Sequence, residues 1–348
     1  GRSGLADVGH HLLELSDGYL LAGASVDTAT GNTDAVLIRT DKNGAILWQK
    51  TYGQFDDDAF NRIAPANGGG FIAWGSVRNA NTNRLDAWLV KVDAAGDLVW
   101  QKTIGQAGFS EQGNGNIIPM PDGYILSGIQ SNPGYSQTFV LRVDENGNTL
   151  WSRFTPSSDY NTLQASYVAG NKIYLGGTTN GFTCWRTMDP ATGDILQTRE
   201  YVADSTNWLH QMRRTPDGGH LLSGNLAKDI PGLVRINGGI QKFDSTGHAL
   251  WTKAYKTADI NFIDASLALA DGASVHTLSY YPNTNNGLIR NTVLIKVDTA
   301  GKVLWARNIG SEHQPVHLVQ LRQTADGGFV ALGTAGIDNA TTDIALIK

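Results

Sequence analysis

Five times along this chain an aspartate is followed three residues later by a glycine and four residues after that by a tryptophan. The copies are Asp41, Gly44 and Trp48; Asp93, Gly96 and Trp100; Asp144, Gly147 and Trp151; Asp244, Gly247 and Trp251; and Asp298, Gly301 and Trp305. They recur at about 50 residues, the period of a supersecondary unit that must stack on its neighbours to bury a core. A second element keeps the same period: a turn running into a strand of small residues, as in "SDGYLLAGA" from 16, "PDGYILSGI" from 121, "PDGGHLLSGN" from 216 and "ADGGFVALGT" from 325. Seven copies of this second element can be counted. Between the two lie alternating apolar segments such as "DAVLIRTD", "DAWLVKVD" and "NTVLIKVD".

Asp-Gly, Asn-Gly and Gly-Gly pairs between alternating segments signal tight hairpins, because glycine accepts the positive φ those turns require. Each period therefore predicts four antiparallel strands, here called a, b, c and d. Four-stranded units of this length, repeated around a ring, make a β-propeller. The fold class predicted is all-β, a seven-bladed β-propeller in a single domain over 1–348. The expected blades are 8–53, 54–105, 106–155, 156–201, 202–256, 257–310 and 311–348, the last closed by 1–7 supplying its missing outer strand.

In this reading the aspartate caps the c–d turn, the glycine takes its left-handed position, and Trp48, Trp100, Trp151, Trp251 and Trp305 fill the gaps between twisted neighbouring blades. Blade four departs from the pattern. It reads "DPATGDILQTRE", with one more residue in the turn and Leu196 or Gln197 where the tryptophan belongs, so that joint is expected to pack differently.

Composition narrows the functional classes. With 27 Lys plus Arg against 32 Asp plus Glu, the formal charge of -5 argues against a nucleic-acid binder, which needs a basic footprint. No apolar run is long enough for a membrane span. A lone cysteine, Cys184, allows neither an internal disulfide nor a thiolate metal cluster, and packing is its expected role.

Function is expected on the face that carries the b–c loops and the d-to-a crossings, which vary in length and chemistry while the a–b and c–d hairpins are short and stereotyped. The candidate ligand-binding residues there are Asp57, Asp58, Asn61, Tyr160, Trp208, His210, Tyr280, Tyr281, Arg290 and His313. Aromatic rings beside amides and acids suit stacking on a sugar while hydrogen-bonding its hydroxyls, and serve equally as a protein hot spot. The run "FDDDAF" supplies too few oxygen ligands for a calcium ion, and His10 with His11, or His313 with His317, lacks a third ligand at a telling spacing, so no metal site is expected. No nucleophile elbow, phosphate loop or HExxH helix is present.

The stretches "VDAAGDLVWQKTIG" and "DGGFVALGT" resemble the bacterial extracytoplasmic β-propeller repeats found in secreted proteins and lipoproteins, and more broadly the quinoprotein-like and WD40-like propeller superfamily. That resemblance covers nearly all of 8–348 and implies an extracytoplasmic location. The quinone-dependent dehydrogenases of the superfamily generally have eight blades and often a vicinal cysteine pair. Seven blades and one cysteine depart from that pattern, and no cofactor is expected. The expectation overall is a monomeric, non-catalytic module binding a glycan or protein, with a carbohydrate-active hydrolase or lyase, or a structural cell-surface domain, as the alternatives.

Overall fold

The Asp-x-x-Gly stretches form the turns their chemistry calls for. The computed structural model describes residues 5–27, 30–53, 57–155, 164–179, 182–201, 206–230, 233–256, 261–280, 291–310, 315–336 and 343–348. The Asp93 carboxylate accepts the backbone N–H groups of Ala95 and Asp97 at 2.9 and 2.8 Å, and Gly96 takes φ 80°. Asp41, Asp144, Asp244 and Asp298 cap the same two positions of their own turns.

These hairpins build seven antiparallel sheets, each running in chain order from an innermost strand outward. Blade one is β1 (Leu5–Leu15), β2 (Gly18–Asp27), β3 (Thr33–Asp41) and β4 (Ile46–Tyr52); blade two is β5 (Ala59–Pro65), β6 (Phe71–Asn79), β7 (Arg84–Val92) and β8 (Leu98–Ile104). In blade three the innermost strand is split into β9 (Ser110–Gln112) and β10 (Ile117–Met120), both paired to β11 (Gly123–Asn132), followed by β12 (Tyr135–Asp144) and β13 (Thr149–Phe154). Blade four holds β14 (Gln164–Ala169), β15 (Lys172–Thr179), β16 (Phe182–Met188) and β17 (Ile195–Tyr201). Blade five holds β18 (Thr206–Arg214), β19 (His220–Ile230), β20 (Leu233–Phe243) and β21 (Ala249–Tyr255). Blade six holds β22 (Asn261–Ala268), β23 (Ser274–Tyr280), β24 (Asn291–Val297) and β25 (Val303–Ile309), and blade seven holds β26 (Val316–Gln323), β27 (Phe329–Ala335) and β28 (Asp343–Ile347). The protein is a seven-bladed β-propeller.

Sheets placed face to face bury apolar side chains only at their joints, and the core is accordingly divided into seven clusters, one per pair of adjacent blades. The tryptophans seal the outer part of these joints. Each lies opposite a cation of strand c or its equivalent, as Trp100 lies opposite Lys91 and Trp151 opposite Arg142, and a register slip follows directly. Trp48, Trp100, Trp151 and Trp251 then cover the glycine of the next blade's c–d turn, while Trp305 packs beside Phe329 of blade seven. A Cβ on Gly96 would sit 2.9 Å from Trp48, on Gly147 2.8 Å from Trp100, on Gly193 2.7 Å from Trp151 and on Gly301 3.1 Å from Trp251. Glycine is required there twice over, for its φ and for the ring above it.

Blade four breaks this pattern in a way the sequence foreshadows. Gln197 stands opposite Thr187 where the indole belongs, and Gly247 of the next turn is covered instead by Arg199 and by Trp185 from strand c.

At the ring's closure, residues 5–7 do not take the place expected of them. Leu5, Ala6 and Asp7 pair with Asp27, Val26 and Ser25, extending the innermost strand of blade one, so they do not form an outer strand for blade seven; residues 1–4 lie outside the described residues. Blade seven has three strands among the described residues. Blades seven and one are instead joined through packing of Val330, Leu332, Ile344 and Leu346 on Leu12, Leu21, Val36 and Ile38, and through the Gln320 amide. That amide donates to Leu12 O at 3.1 Å and accepts the Leu12 N–H. Pairing with β2 gives residues 5–7 a full ladder within their own sheet, which is why they stay in blade one.

Two measurements check this architecture. Trp100→Ala is expected to lower unfolding free energy by about 2 to 3 kcal/mol, below the cost of a fully buried ring because the indole is only partly buried. Gly147→Ala should cost less in the Trp100→Ala background than in the parent, and additive losses in a denaturant-melt cycle would break the proposed contact. The second concerns His220, buried between blades four and five beside Tyr167, with its pKa pushed from 6.5 to about 4 by burial and then by the Lys242 charge. The unfolded chain binds this proton first, so stability should be full above about pH 6.5 and fall as pH drops toward 4, less steeply in His220→Gln.

Candidate functional site

The innermost strands leave one backbone edge unpaired toward the channel, and buried N–H and C=O groups there need partners. A recurring bulge supplies them. In every blade except the third, strand a slips against strand b, leaving His10, Asn61, Ser166, His210, Asp264 with Ala265, or Val319 as the extra residue. Side chains at or beside the bulge then reach the next blade. His10 Nδ1 donates to Phe60 O at 3.1 Å, and His11 Nδ1 accepts the Ile63 N–H at 3.3 Å. Asn61 donates to Gly113 O at 3.3 Å, and Gln211 Oε1 accepts the Ser266 N–H at 3.0 Å.

This places several sequence-derived candidates. Asn61 is one of the fasteners just described. Asp57, at φ 65°, pairs with the Arg78 guanidinium. Asp58 is fully buried; its carboxylate accepts the Arg78 N–H at 2.9 Å, and its own N–H donates to Thr33 O at 2.9 Å. Asp57 and Asp58 of "FDDDAF" thus fold the crossing between blades one and two, while Asp56 lies outside the described residues. Tyr280 ends β23 and packs against the blade five and six core. Trp208 and His210 belong to β18, the innermost strand of blade five, rather than to the preceding crossing, and their side chains lie outside the described residues. Tyr160, Tyr281, Arg290 and His313 also lie outside them.

The concave site sits elsewhere. A cavity of about 320 Å³ occupies the channel at the C-terminal ends of the innermost strands, on the side of the a–b hairpins, with walls from blades one, two, three, five and seven. A larger groove, about 700 Å³, opens between the outer strands of blades one and two. It is a product of the joint itself: Lys50 spans it to Asp97 at 2.6 Å, and the Tyr52 hydroxyl donates to Gly96 O at 2.6 Å.

Three guanidiniums line the channel cavity: Arg62 from blade two, Arg213 from blade five and Arg322 from blade seven. Arg62 donates from Nε to Asn116 Oδ1 at 3.2 Å and from Nη1 to Asn61 O at 2.7 Å. Arg213 donates to Ser266 O and Met212 O, both at 2.9 Å, and to Gln211 Oε1 at 3.2 Å. Arg322 makes no hydrogen bond among the described residues, and none of the three has a carboxylate within ion-pair distance there. Burial, then the charge of Arg322, lowers the pKa of Arg62 to about 10; burial, then Arg322 and Arg62, does the same to Arg213. His11 is held well below 6.5 by burial and by all three arginines.

Sequence reasoning passed over this trio, though a signal existed. Arg213 and Arg322 occupy the same place in the repeat, in "RRTPDGG" and "RQTADGG".

No protein-family profile matches the chain, and no curated protein is similar to it. Solved propellers share its shape at low identity. The Dos1 propeller superposes with TM-score 0.57 at 9% identity over 97% of this chain and 76% of that one. Sqt1 from Chaetomium thermophilum gives 0.53 at 11% over 98% and 96%, and a europium-containing methanol dehydrogenase 0.51 at 13% over 95% and 83%. At these identities the likeness concerns the fold alone.

Proposed function

We propose that the chain is a non-catalytic binding module whose ligand occupies the hairpin end of the central channel. One observation carries this reading: five separate blades, brought together only by ring closure, contribute side chains to a single concave cavity of about 320 Å³. That volume falls in the range of about 300 to 1,000 Å³ typical of small-molecule sites. It suits a small molecule or the end of a longer chain, and so narrows the glycan or protein expected from the sequence to its terminal group.

Two features support binding over catalysis. The channel imidazoles, His10 and His11, are engaged by the backbone of blade two and have lowered pKa values from burial, which leaves neither poised as a general base. The remaining polar lining consists of amides and guanidiniums, which orient and neutralise a ligand without supplying a nucleophile.

Val319, the extra residue of the blade seven bulge, lines the cavity and takes no part in fastening the blades. Val319→Trp is therefore expected to narrow the channel while preserving the melting temperature. In a thermal-shift panel of neutral oligosaccharides, acidic peptides and small organic anions, at least one compound should stabilise the parent and fail to stabilise this variant. A compound that stabilises both equally would place binding outside the channel.

A further inference from the structure

The three channel arginines form an uncompensated cationic site in a chain whose formal charge is -5, so their accumulation is not a reflection of composition. Burying like charges together is unfavourable unless something opposite in sign offsets them. Asn116, Gln211 and Gln320 among the lining residues are neutral, and the carboxylate acting on the trio is Glu14, an exposed residue that raises the pKa of Arg322 from a distance against the effect of burial. The compensation is left to a ligand.

The ring sets the directions from which the guanidiniums approach. Blades two, five and seven are separated around the axis by three, two and two blade steps, as near to threefold as seven positions allow. Arg213 and Arg322 each stand two residues beyond the residue that follows their bulge, while Arg62 itself follows its bulge, one step nearer the middle of the channel. Bonds from Nε fix Arg62 and Arg213 in place before any ligand arrives. A guanidinium offers five N–H donors; Arg62 uses two of them, Arg213 three and Arg322 none. Donors remain on all sides of the axis.

Resting on the channel reading above, we propose that the ligand group held there is a compact oxyanion carrying at least two negative charges, of phosphate or polycarboxylate type. Planar guanidinium forks match both groups through paired N–H···O bonds, and their charge is screened less in a partly enclosed channel than on an open surface. A monovalent carboxylate leaves most of the positive charge uncompensated, and a neutral sugar leaves all of it.

Isothermal titration of the whole chain with inorganic phosphate, citrate, acetate and trehalose at low ionic strength tests the assignment. Phosphate or citrate should bind at one site at least about tenfold more tightly than acetate, weaken as salt is added, and lose about tenfold or more in Arg322→Gln. Which of the two binds identifies the anion type. Arg322 holds no part of the ring together, so this variant should melt like the parent; Arg322→Lys, which keeps the charge without the fork, should recover part of the affinity. Acetate binding as tightly as phosphate and citrate, or unchanged affinity in Arg322→Gln, would overturn the proposal. Trehalose binding that Val319→Trp abolishes, with neither polyanion bound, would overturn the anion assignment while leaving the channel reading standing. No binding by any of the four probes would overturn the anion assignment as well, and the wider thermal-shift panel then decides the channel reading separately.

Discussion

The unpaired inner edge of each blade is the constraint from which the rest of the structure follows. Seven innermost strands meet around an axis, and none can complete its ladder on the channel side without closing the channel. The bulge of strand a resolves this by turning polar side chains onto the neighbouring edge: His10 and His11 onto blade two, Asn61 onto blade three, Gln211 onto blade six and Gln320 onto blade one. Thr178 and Thr292 serve blades five and seven from the second and third strands of blades four and six. Fastened in this way, the ring joins its ends through one glutamine and an apolar cluster, without exchanging a strand among the described residues.

That division of labour also explains where chemistry becomes available. His10 and Asn61 at the bulge are taken up by the fold, and so are Asp57 and Asp58 of the blade one to two crossing, which are bound to Arg78. Positions just beyond the bulge face the channel, and there Arg213, bonded to Ser266 O of blade six, and Arg322, which makes no hydrogen bond among the described residues, accumulate. The shared outline with a dehydrogenase and with other propellers extends to the scaffold alone, while Arg62, Arg213 and Arg322 belong to this chain's own repeats.

Sequence alone conveyed the blade because its signals are local. A capping aspartate, a left-handed glycine and alternating strands each act within ten residues, so the hairpins and their number could be read directly. The partner of each tryptophan could not, since Trp100 rests on Gly147 from the following repeat. The place of residues 5–7 was misread for a related reason: they look like spare strand in the sequence, yet their ladder partners at 25–27 lie in the same blade. The site was harder still. Arg62, Arg213 and Arg322 are far apart in the chain and unremarked in composition, and only the ring brings their charges onto one axis. Attention to the most variable loops favoured aromatic and acidic residues, several of which turn out to fasten crossings or strands.

Anomalous diffraction from crystals soaked in tungstate, a heavy tetrahedral dianion that stands in for phosphate, tests the central claim most directly. The account predicts a strong tungsten peak on the channel axis within hydrogen-bonding reach of the Arg322 guanidinium and at least one of Arg62 and Arg213. Peaks confined to the outer surface, with an empty channel in a crystal that leaves the hairpin face open to solvent, would contradict it.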